Sequence, residues 1–264
     1  MMRALWTASS GMNAQQLNVD TIANNLSNVN TTGYKKERAE FKDLLYVSLF
    51  GAQVIDRQGR PVGLQVGHGV RPSAIVKNFS QGSMQSTGNP LDFAIDGEGF
   101  FVVRDQNDNL FYTRDGSFKL SIDGEEAALV TSDGYFVQVD GADAELGGEI
   151  NEIIIDQNGL LMVRRNDDTL DEIGFLDLVR FVNPAGLESA GGNLYSITSA
   201  SGEPIEAEEP GANGSIMQNF LEASNVQVVE EMVKLITAQR AYEINSKSVQ
   251  TADEMLQIAN NLRR

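Results

Sequence analysis

Apolar residues recur at seven-residue intervals near the start of the chain. The series is Leu5, Met12, Val19 and Leu26, and Ile22 lies three residues after one of its members. This spacing is typical of an apolar stripe along one side of an α-helix. We therefore predict a helix of about 27 residues, which is ~40 Å long at ~1.5 Å per residue. It should end near Thr31-Thr32-Gly33, where a glycine can adopt the left-handed conformation of a helix cap.

The end of the chain carries a second pattern of the same kind. Its series is Val228, Leu235, Tyr242, Val249 and Leu256, with Met232 at an intermediate position. A further stripe, which contains Val229, Val233, Ile236 and Ile244, widens the apolar face. No proline or glycine occurs from residue 220 to residue 262, so a helix of ~60 Å is predicted. A single helix cannot bury such a face by itself, and we predict that the two terminal helices pair.

Turn dipeptides divide the middle of the chain into short segments. They are Asp96-Gly97, Asp115-Gly116, Asp123-Gly124, Asp133-Gly134, Asp140-Gly141 and Asn158-Gly159. Asp-Gly and Asn-Gly favour tight hairpin turns because both central residues can take positive φ. Short apolar runs lie between these turns, which predicts an antiparallel all-β domain with Greek-key or meander connections.

These patterns together predict an α+β fold. We expect long N- and C-terminal helices paired in a coiled-coil-like core, an inserted all-β antiparallel domain, and an extended connector. The expected helical domain is discontinuous and comprises residues 1–45 and 217–264. The glycine-rich residues 46–89 form the connector, and residues 90–216 form the β-rich outer domain with a return linker.

Charge and composition narrow the class of protein. The chain has 264 residues, a formal net charge of −17 and no cysteine. The acidic excess lies in the middle: residues 1–45 carry five basic and four acidic groups, and residues 220–264 carry five and six. An acidic chain of this kind does not suit nucleic acid or an anionic membrane surface. No apolar stretch approaches the roughly 18 residues of a membrane span, and the N-terminus does not read as a cleaved secretory signal.

Three motifs carry a resemblance to a known family. The first is DTIANNLSNVNTTGYK at residues 20–35. The second is GEGFFVV at residues 97–103 with YTRDGSF at residues 112–118. The third begins with Ser224-Asn225-Val226 and continues with QRAYE at residues 239–243 and DEML at residues 253–256. Together they resemble the signatures of the bacterial flagellar rod and hook family. The opening residues MMRALW and the chain length are most similar to its distal-rod branch.

The resemblance implies a structural role and no enzymatic activity or cofactor. It implies a subunit of the distal rod that assembles helically into a rigid hollow drive shaft and transmits torque from motor to hook. The partners implied are further copies of the chain in an open helical homo-oligomer, proximal rod proteins, the hook protein, the L- and P-ring bushing proteins and the flagellar type III export apparatus. The implied location is the basal body, spanning the periplasm, after export without a cleaved signal. No nucleic acid and no membrane insertion are expected.

The same residues leave other interpretations open. A hook or proximal-rod protein is the nearest alternative, and a secreted adhesive or carbohydrate-binding β-domain with coiled-coil ends is an alternative of another class. A hydrolase acting on peptidoglycan is disfavoured, because His68 is the only histidine and no convergent acid–base set is visible. Asp105, Asn107 and Asn109 match the start of a calcium loop, but Leu110 and Gly116 stand where its glycine and glutamate belong.

The residues expected to drive assembly are therefore those of the two helical series. They are Leu5, Met12, Val19, Ile22 and Leu26 in the first helix, and Val228, Met232, Leu235, Tyr242, Val249 and Leu256 in the second. In a free chain these stripes would be exposed and the helices partly disordered. Contacts with neighbouring copies would offset the entropy of ordering them.

Overall fold

The computed structural model describes residues 2–50, 63–123, 126–147, 150–165, 169–206 and 214–261. Helix α1 spans Met2–Ser27 and helix α2 spans Val228–Asn261. The chain divides into two compact units. The first unit combines Met1–Ser27, Glu37–Lys77 and Gln227–Arg264, and the second combines Asn28–Lys36 with Asn78–Val226.

The first unit contains both helices and an antiparallel β-ribbon. Its strands are β1 (Glu37–Asp43), β2 (Tyr46–Phe50), β3 (Leu64–Gly67) and β4 (Val70–Lys77), with β1 paired to β4 and β2 paired to β3. A two-stranded ribbon is only marginally stable by itself in water. Here it is anchored on α1, because the Val70 amide donates to the Ser10 hydroxyl at 3.3 Å. A Cβ on Gly69 would lie 2.1 Å from that hydroxyl oxygen, so this close approach requires glycine.

The second unit is built from the remaining strands. They are β5 (Met84–Ser86), β6 (Phe93–Asp96), β7 (Phe100–Arg104), β8 (Leu110–Thr113), β9 (Lys119–Asp123), β10 (Glu126–Val130), β11 (Phe136–Val139), β12 (Ala142–Asp143), β13 (Ile150–Ile155), β14 (Leu160–Arg165), β15 (Leu170–Phe175), β16 (Leu178–Arg180), β17 (Glu188–Gly191), β18 (Leu194–Ser196), β19 (Ile205–Glu206), β20 (Ser215–Gln218) and β21 (Phe220–Glu222). A 3-10 helix spans Pro184–Gly186.

Antiparallel pairing organises these strands into one large sheet and three smaller ones. The ten-stranded sheet runs β17-β18-β8-β7-β11-β10-β9, with β12, β16 and β19 paired at its sides. A three-stranded sheet runs β13-β14-β15, and the pairs β20-β6 and β21-β5 complete the unit.

Strand β7 is buried on both of its faces, which places it at the centre of the second unit. Because side chains alternate along a strand, Phe101 and Val103 enter one apolar core while Phe100 and Val102 enter another. The second core is rich in aromatic rings: the ring centroid of Phe100 lies 5.6 Å from that of Phe181 and 6.0 Å from that of Tyr195. Burial on both faces explains the unbroken apolar run of this strand.

The predicted fold class is wrong. Among the described residues, 41% are in strands and 27% in helices, and there are only two α-helices. The protein is a large antiparallel β-rich body with one helix near each end, not a coiled-coil core with an inserted β-domain. Strands begin at Glu37, soon after α1 ends, and residues predicted as an extended connector form β2 to β5. Two glycines of this segment, Gly67 and Gly69, lie at the turn between β3 and β4.

The predicted helical seams are only partly buried, and the helices do not form the predicted coiled-coil core. In α2 the buried residues are Glu231, Ala238 and Ala252, none of which is a large apolar side chain. Of the predicted seam, Val228, Met232 and Tyr242 are exposed. In a coiled coil, large apolar side chains fill holes on the partner helix. Here the buried positions of α2 hold small and polar residues instead.

Candidate assembly surfaces and anchoring residues

The two helices meet along a line of small and polar side chains. The side-chain amide of Asn25 in α1 donates to the carboxylate of Glu231 in α2 at 3.3 Å. Fourteen residues earlier, a Cβ on Gly11 would lie 2.9 Å from the side-chain nitrogen of Asn245, so these positions are also in contact. A residue earlier in α1 therefore faces one later in α2, which makes the helices antiparallel.

Asn25 also fastens α1 to the ribbon of the same unit. Its side chain donates to the carbonyl of Glu37 and accepts from the amide of Glu37, both at 2.8 Å. Glu231, the partner of Asn25, is only 2% exposed and also accepts from Lys234 at 2.7 Å. A buried carboxylate is tolerated when it is paired and hydrogen-bonded, as this one is. The Asn25–Glu231 contact is therefore a fixed point of the first unit.

The helical series predicted from sequence occupy varied positions. Ile22 is buried, whereas Leu5, Met12, Val19, Leu26, Leu235, Val249 and Leu256 are partly buried. In α1 the residues that face α2, Gly11 and Asn25, each precede a predicted seam residue by one position. One residue is about 100° around a helix of 3.6 residues per turn. Met12 and Leu26 thus lie about 100° around α1 from Gly11 and Asn25, whereas Ile22, three residues before Asn25, lies on the same side of the helix as that contact.

An apolar surface remains on the side of α2 that faces away from Glu231 and Ala238. At the start of the helix it comprises Val229, Met232, Val233 and Ile236, and Val229 is 75% exposed. Ile244 and Ile258 extend it toward the end of the helix and are 64% and 60% exposed. In α1, Trp6 is 73% exposed. Exposed apolar side chains clustered on one helix face are typical of a site of protein association.

The second unit contains a buried cluster of three charged side chains. Lys35 donates to Glu222 at 2.6 Å, and Arg114 donates to the other carboxylate oxygen of Glu222 at 3.3 Å. The amide of Gly82 also donates to Glu222, at 2.7 Å. All three charged side chains are at most 4% exposed. The cluster fastens the segment after α1 to β21, the last strand before α2.

Burial dominates the electrostatics of this cluster. Burial lowers the pKa of Lys35 below its ordinary value, and the negative charge of Glu222 opposes that shift. Burial also lowers the pKa of Arg114, with Glu222 again opposing. Two cations share one anion, so removal of Glu222 would leave both cations buried without compensation.

Two further motif residues make specific contacts in the second unit. Gly33 has φ +67°, and a Cβ there would lie 2.7 Å from the backbone nitrogen of Asp115. Asn225 accepts from the Lys36 amide at 2.7 Å and donates to the carbonyls of Asn78 and Ser80. Residues of the first and third motifs thus secure the chain where it leaves α1 and where it approaches α2.

The residues considered from the sequence as calcium ligands or as a catalytic base lie in turns between strands. Asp105 accepts from the Asn107 side chain at 2.9 Å and, through its amide, closes the turn between β7 and β8. His68 is exposed between β3 and β4. The acidic pairs Asp167-Asp168 and Glu208-Glu209 could suggest glycoside hydrolysis, although acidic loop surface is the ordinary explanation in so acidic a chain; both pairs lie outside the described residues. Across the ranges that the structure describes, no cluster of three or more histidine or acidic side chains is placed to hold a metal ion.

Membrane insertion by a helix has no support in the described part of the chain. Neither α1 nor α2 is apolar enough over a sufficient length to cross a bilayer.

Comparisons with known proteins identify the family. Three family profiles match: "Flagella basal body rod protein" at residues 5–35, "Flagellar hook protein FlgE/F/G D1 domain" at residues 94–163, and "Flagellar basal body rod FlgEFG protein C-terminal" at residues 217–262. The flagellar basal-body rod protein FlgG of Borreliella burgdorferi is 51% identical over 100% of both chains. FlgG of Buchnera aphidicola subsp. Schizaphis graminum is 45% identical over 97% of this chain and 98% of the relative. FlgG of Caulobacter vibrioides is 42% identical over 99% of this chain and 100% of the relative.

All three matched profiles are those of flagellar rod or hook proteins, so the class of the protein is a structural protein of the flagellum. The chain belongs to the flagellar basal-body rod protein family of FlgG, and it is a structural subunit of the flagellar rod. The resemblance predicted from the three sequence motifs is confirmed.

Sequence reasoning missed the residues that actually anchor the fold. Asn25 and Lys35 stand inside the first motif, and their contacts explain part of its composition. Gly33 of the same motif was predicted as a helix cap, but its close approach to the backbone of Asp115 was not. Ala238, Asn245 and Ala252 form a seven-residue series with Glu231 in α2. That series could have been found by searching for repeated small residues as well as repeated apolar ones.

Proposed function

We propose that this subunit forms the distal part of the rod by open helical self-association through the outward apolar faces of its terminal helices. The observation that carries the proposal is the group Val229, Met232, Val233 and Ile236, four exposed apolar side chains in little more than two turns of α2. A contact between unlike faces of identical subunits builds an open helical filament when its rotation does not close into a ring. Repetition of such contacts would give a shaft stiff enough to transmit torque.

The layering and partners follow from the same proposal. Residues 1–45 and 217–264 would form the inner layer of the shaft, and residues 90–216 the outer layer. The seam residues at partly buried positions, such as Val249 and Leu256, would complete the contacts between neighbouring copies. Proximal rod proteins and the hook protein would meet the two ends, and the L- and P-ring proteins would surround the outer layer. The subunit would act without catalysis, span the periplasm as part of the basal body, and leave the cytoplasm through the flagellar export apparatus with its N-terminus uncleaved.

Placing charges on the apolar face should abolish assembly without unfolding the subunit. The double variant Val233→Asp/Ile236→Asp changes two side chains that are exposed in the isolated chain, so its free energy of unfolding should change little, within about 0.5 kcal/mol per site. Burying two carboxylates between copies would be strongly unfavourable. We expect loss of motility and of rods in electron micrographs of basal bodies.

A matched control separates charge from position. Ser248 is an exposed polar residue of the same helix, and Ser248→Asp should retain motility. Intact rods built from the Val233→Asp/Ile236→Asp subunit would refute the proposed use of this face.

A further inference from the structure

The contacts between α1 and α2 follow one numerical rule. Gly11 meets Asn245, and Asn25 meets Glu231. From the first pair to the second, the chain moves fourteen residues forward in α1 and fourteen residues backward in α2. Both pairs therefore belong to one antiparallel register. Halfway between the two pairs, seven residues from each, the same rule would set Asn18 opposite Ala238, which is 3% exposed.

Each level of this line pairs side chains of complementary size or charge. Asn245 occupies the space that the missing side chain of Gly11 leaves. The same rule would set the small Ala238 opposite Asn18. At Asn25 and Glu231 an amide meets a carboxylate. Asn25 is held in place by its two hydrogen bonds to the backbone of Glu37, so it cannot follow Glu231 if α2 slides.

We infer that this ladder of small and polar residues sets the axial register of α1 against α2. Ladder residues here means Gly11, Asn18 and Asn25 in α1 and Glu231, Ala238 and Asn245 in α2. A shift of α2 by seven residues would bring Glu231 to Asn18 and separate it from Asn25. Single polar residues on helix contact faces are known to select one register over others. The consequence for the rod, that register decides which apolar side chains reach neighbouring copies, rests on the proposed function.

Disulfide trapping in the full-length chain tests the register directly, because the chain has no cysteine of its own. The pair Gly11→Cys with Asn245→Cys reports the observed register. The pairs Gly11→Cys with Ala238→Cys and Gly11→Cys with Ala252→Cys report shifts of seven residues in the two directions. Cross-linking of the first pair should be at least about tenfold faster than that of the others, the range expected for one hydrogen bond to a charged group.

Removing the remaining polar pair should erase that preference. In the Asn25→Ala/Glu231→Ala background, we expect the three cross-linking rates to approach one another within about threefold, since no hydrogen bond to a charged group then distinguishes the registers. Asn13→Ala/Glu230→Ala is the matched control, since it removes one Asn and one Glu that are exposed on the same helices. It should keep the original preference.

Two results would overturn the inference. The first is an unchanged preference for Gly11 with Asn245 after loss of Asn25 and Glu231. The second is loss of all three cross-links together with loss of helical circular dichroism, which would mean that the pair holds the helices together without selecting their register. A chain that keeps its register yet builds no rods would count against the proposed function alone.

Discussion

Replacing Glu222 with glutamine should destabilise the protein by about 3–5 kcal/mol, the usual effect of removing one partner from a buried ion pair. The substitution keeps the shape of the side chain and removes only its charge. Lys35 and Arg114 would then remain buried as two cations without an anion between them. The measurement is the free energy of unfolding of the full-length chain in urea, followed by far-ultraviolet circular dichroism.

Lys35 provides the matched comparison because it shares the same carboxylate. Lys35→Met removes one of the two cations and leaves Arg114 paired with Glu222. Its main cost is the hydrogen bond between the charged groups of Lys35 and Glu222, about 1.5–3 kcal/mol, because the carbonyl of Ser80 still accepts from Asn225. The double variant Lys35→Met/Glu222→Gln should be less destabilised than the sum of the two single variants. Additive effects would show that the charges do not interact.

The sequence predicted the turns of the β-body better than its anchors. Asp-Gly and Asn-Gly mark hairpin ends because their backbone preferences are local, and several of them lie at strand ends in the structure. Asp96 of Asp96-Gly97, for example, is the last residue of β6. Positive φ at Gly33 was likewise predicted from its place after a helix. Such features depend on a few neighbouring residues, and single-sequence reasoning can find them.

The buried cluster and the helix contact could not be predicted in the same way. Lys35 and Glu222 are 187 residues apart in the sequence. The residues around Lys35 do not distinguish it from an ordinary exposed lysine beside a turn. In the helices, apolar periodicity pointed to Met12 and Leu26, whereas Gly11 and Asn25 make the contact. Apolar periodicity identifies the most apolar line of a helix, and that line need not be the most buried one. In a subunit that associates with copies of itself, the most apolar line is free to face outward.

Gly33→Ala should destabilise the protein by about 2–5 kcal/mol, because two separate penalties add. The first is the left-handed backbone, φ +67°, which costs a residue with a Cβ about 1–2 kcal/mol. The second is steric: the new Cβ would lie 2.7 Å from the nitrogen of Asp115 and 2.8 Å from the carbonyl carbon of Arg114. Both are backbone atoms, which cannot rotate away as a side chain can, and overpacking of this kind costs about 1–3 kcal/mol.

Gly88 separates the two penalties. Its φ is +71°, nearly the same as that of Gly33, and no atom lies within 4 Å of the position its Cβ would take. Gly88→Ala should therefore cost only the backbone term, about 1–2 kcal/mol. Equal losses of unfolding free energy at the two positions would rule out the steric contribution. If Gly33→Ala is the more damaging, the glycine of the first motif serves the folding of the subunit. The Gly33→Ala variant should then form no rods because too little of the subunit folds. The Val233→Asp/Ile236→Asp subunit should fold and still fail to assemble.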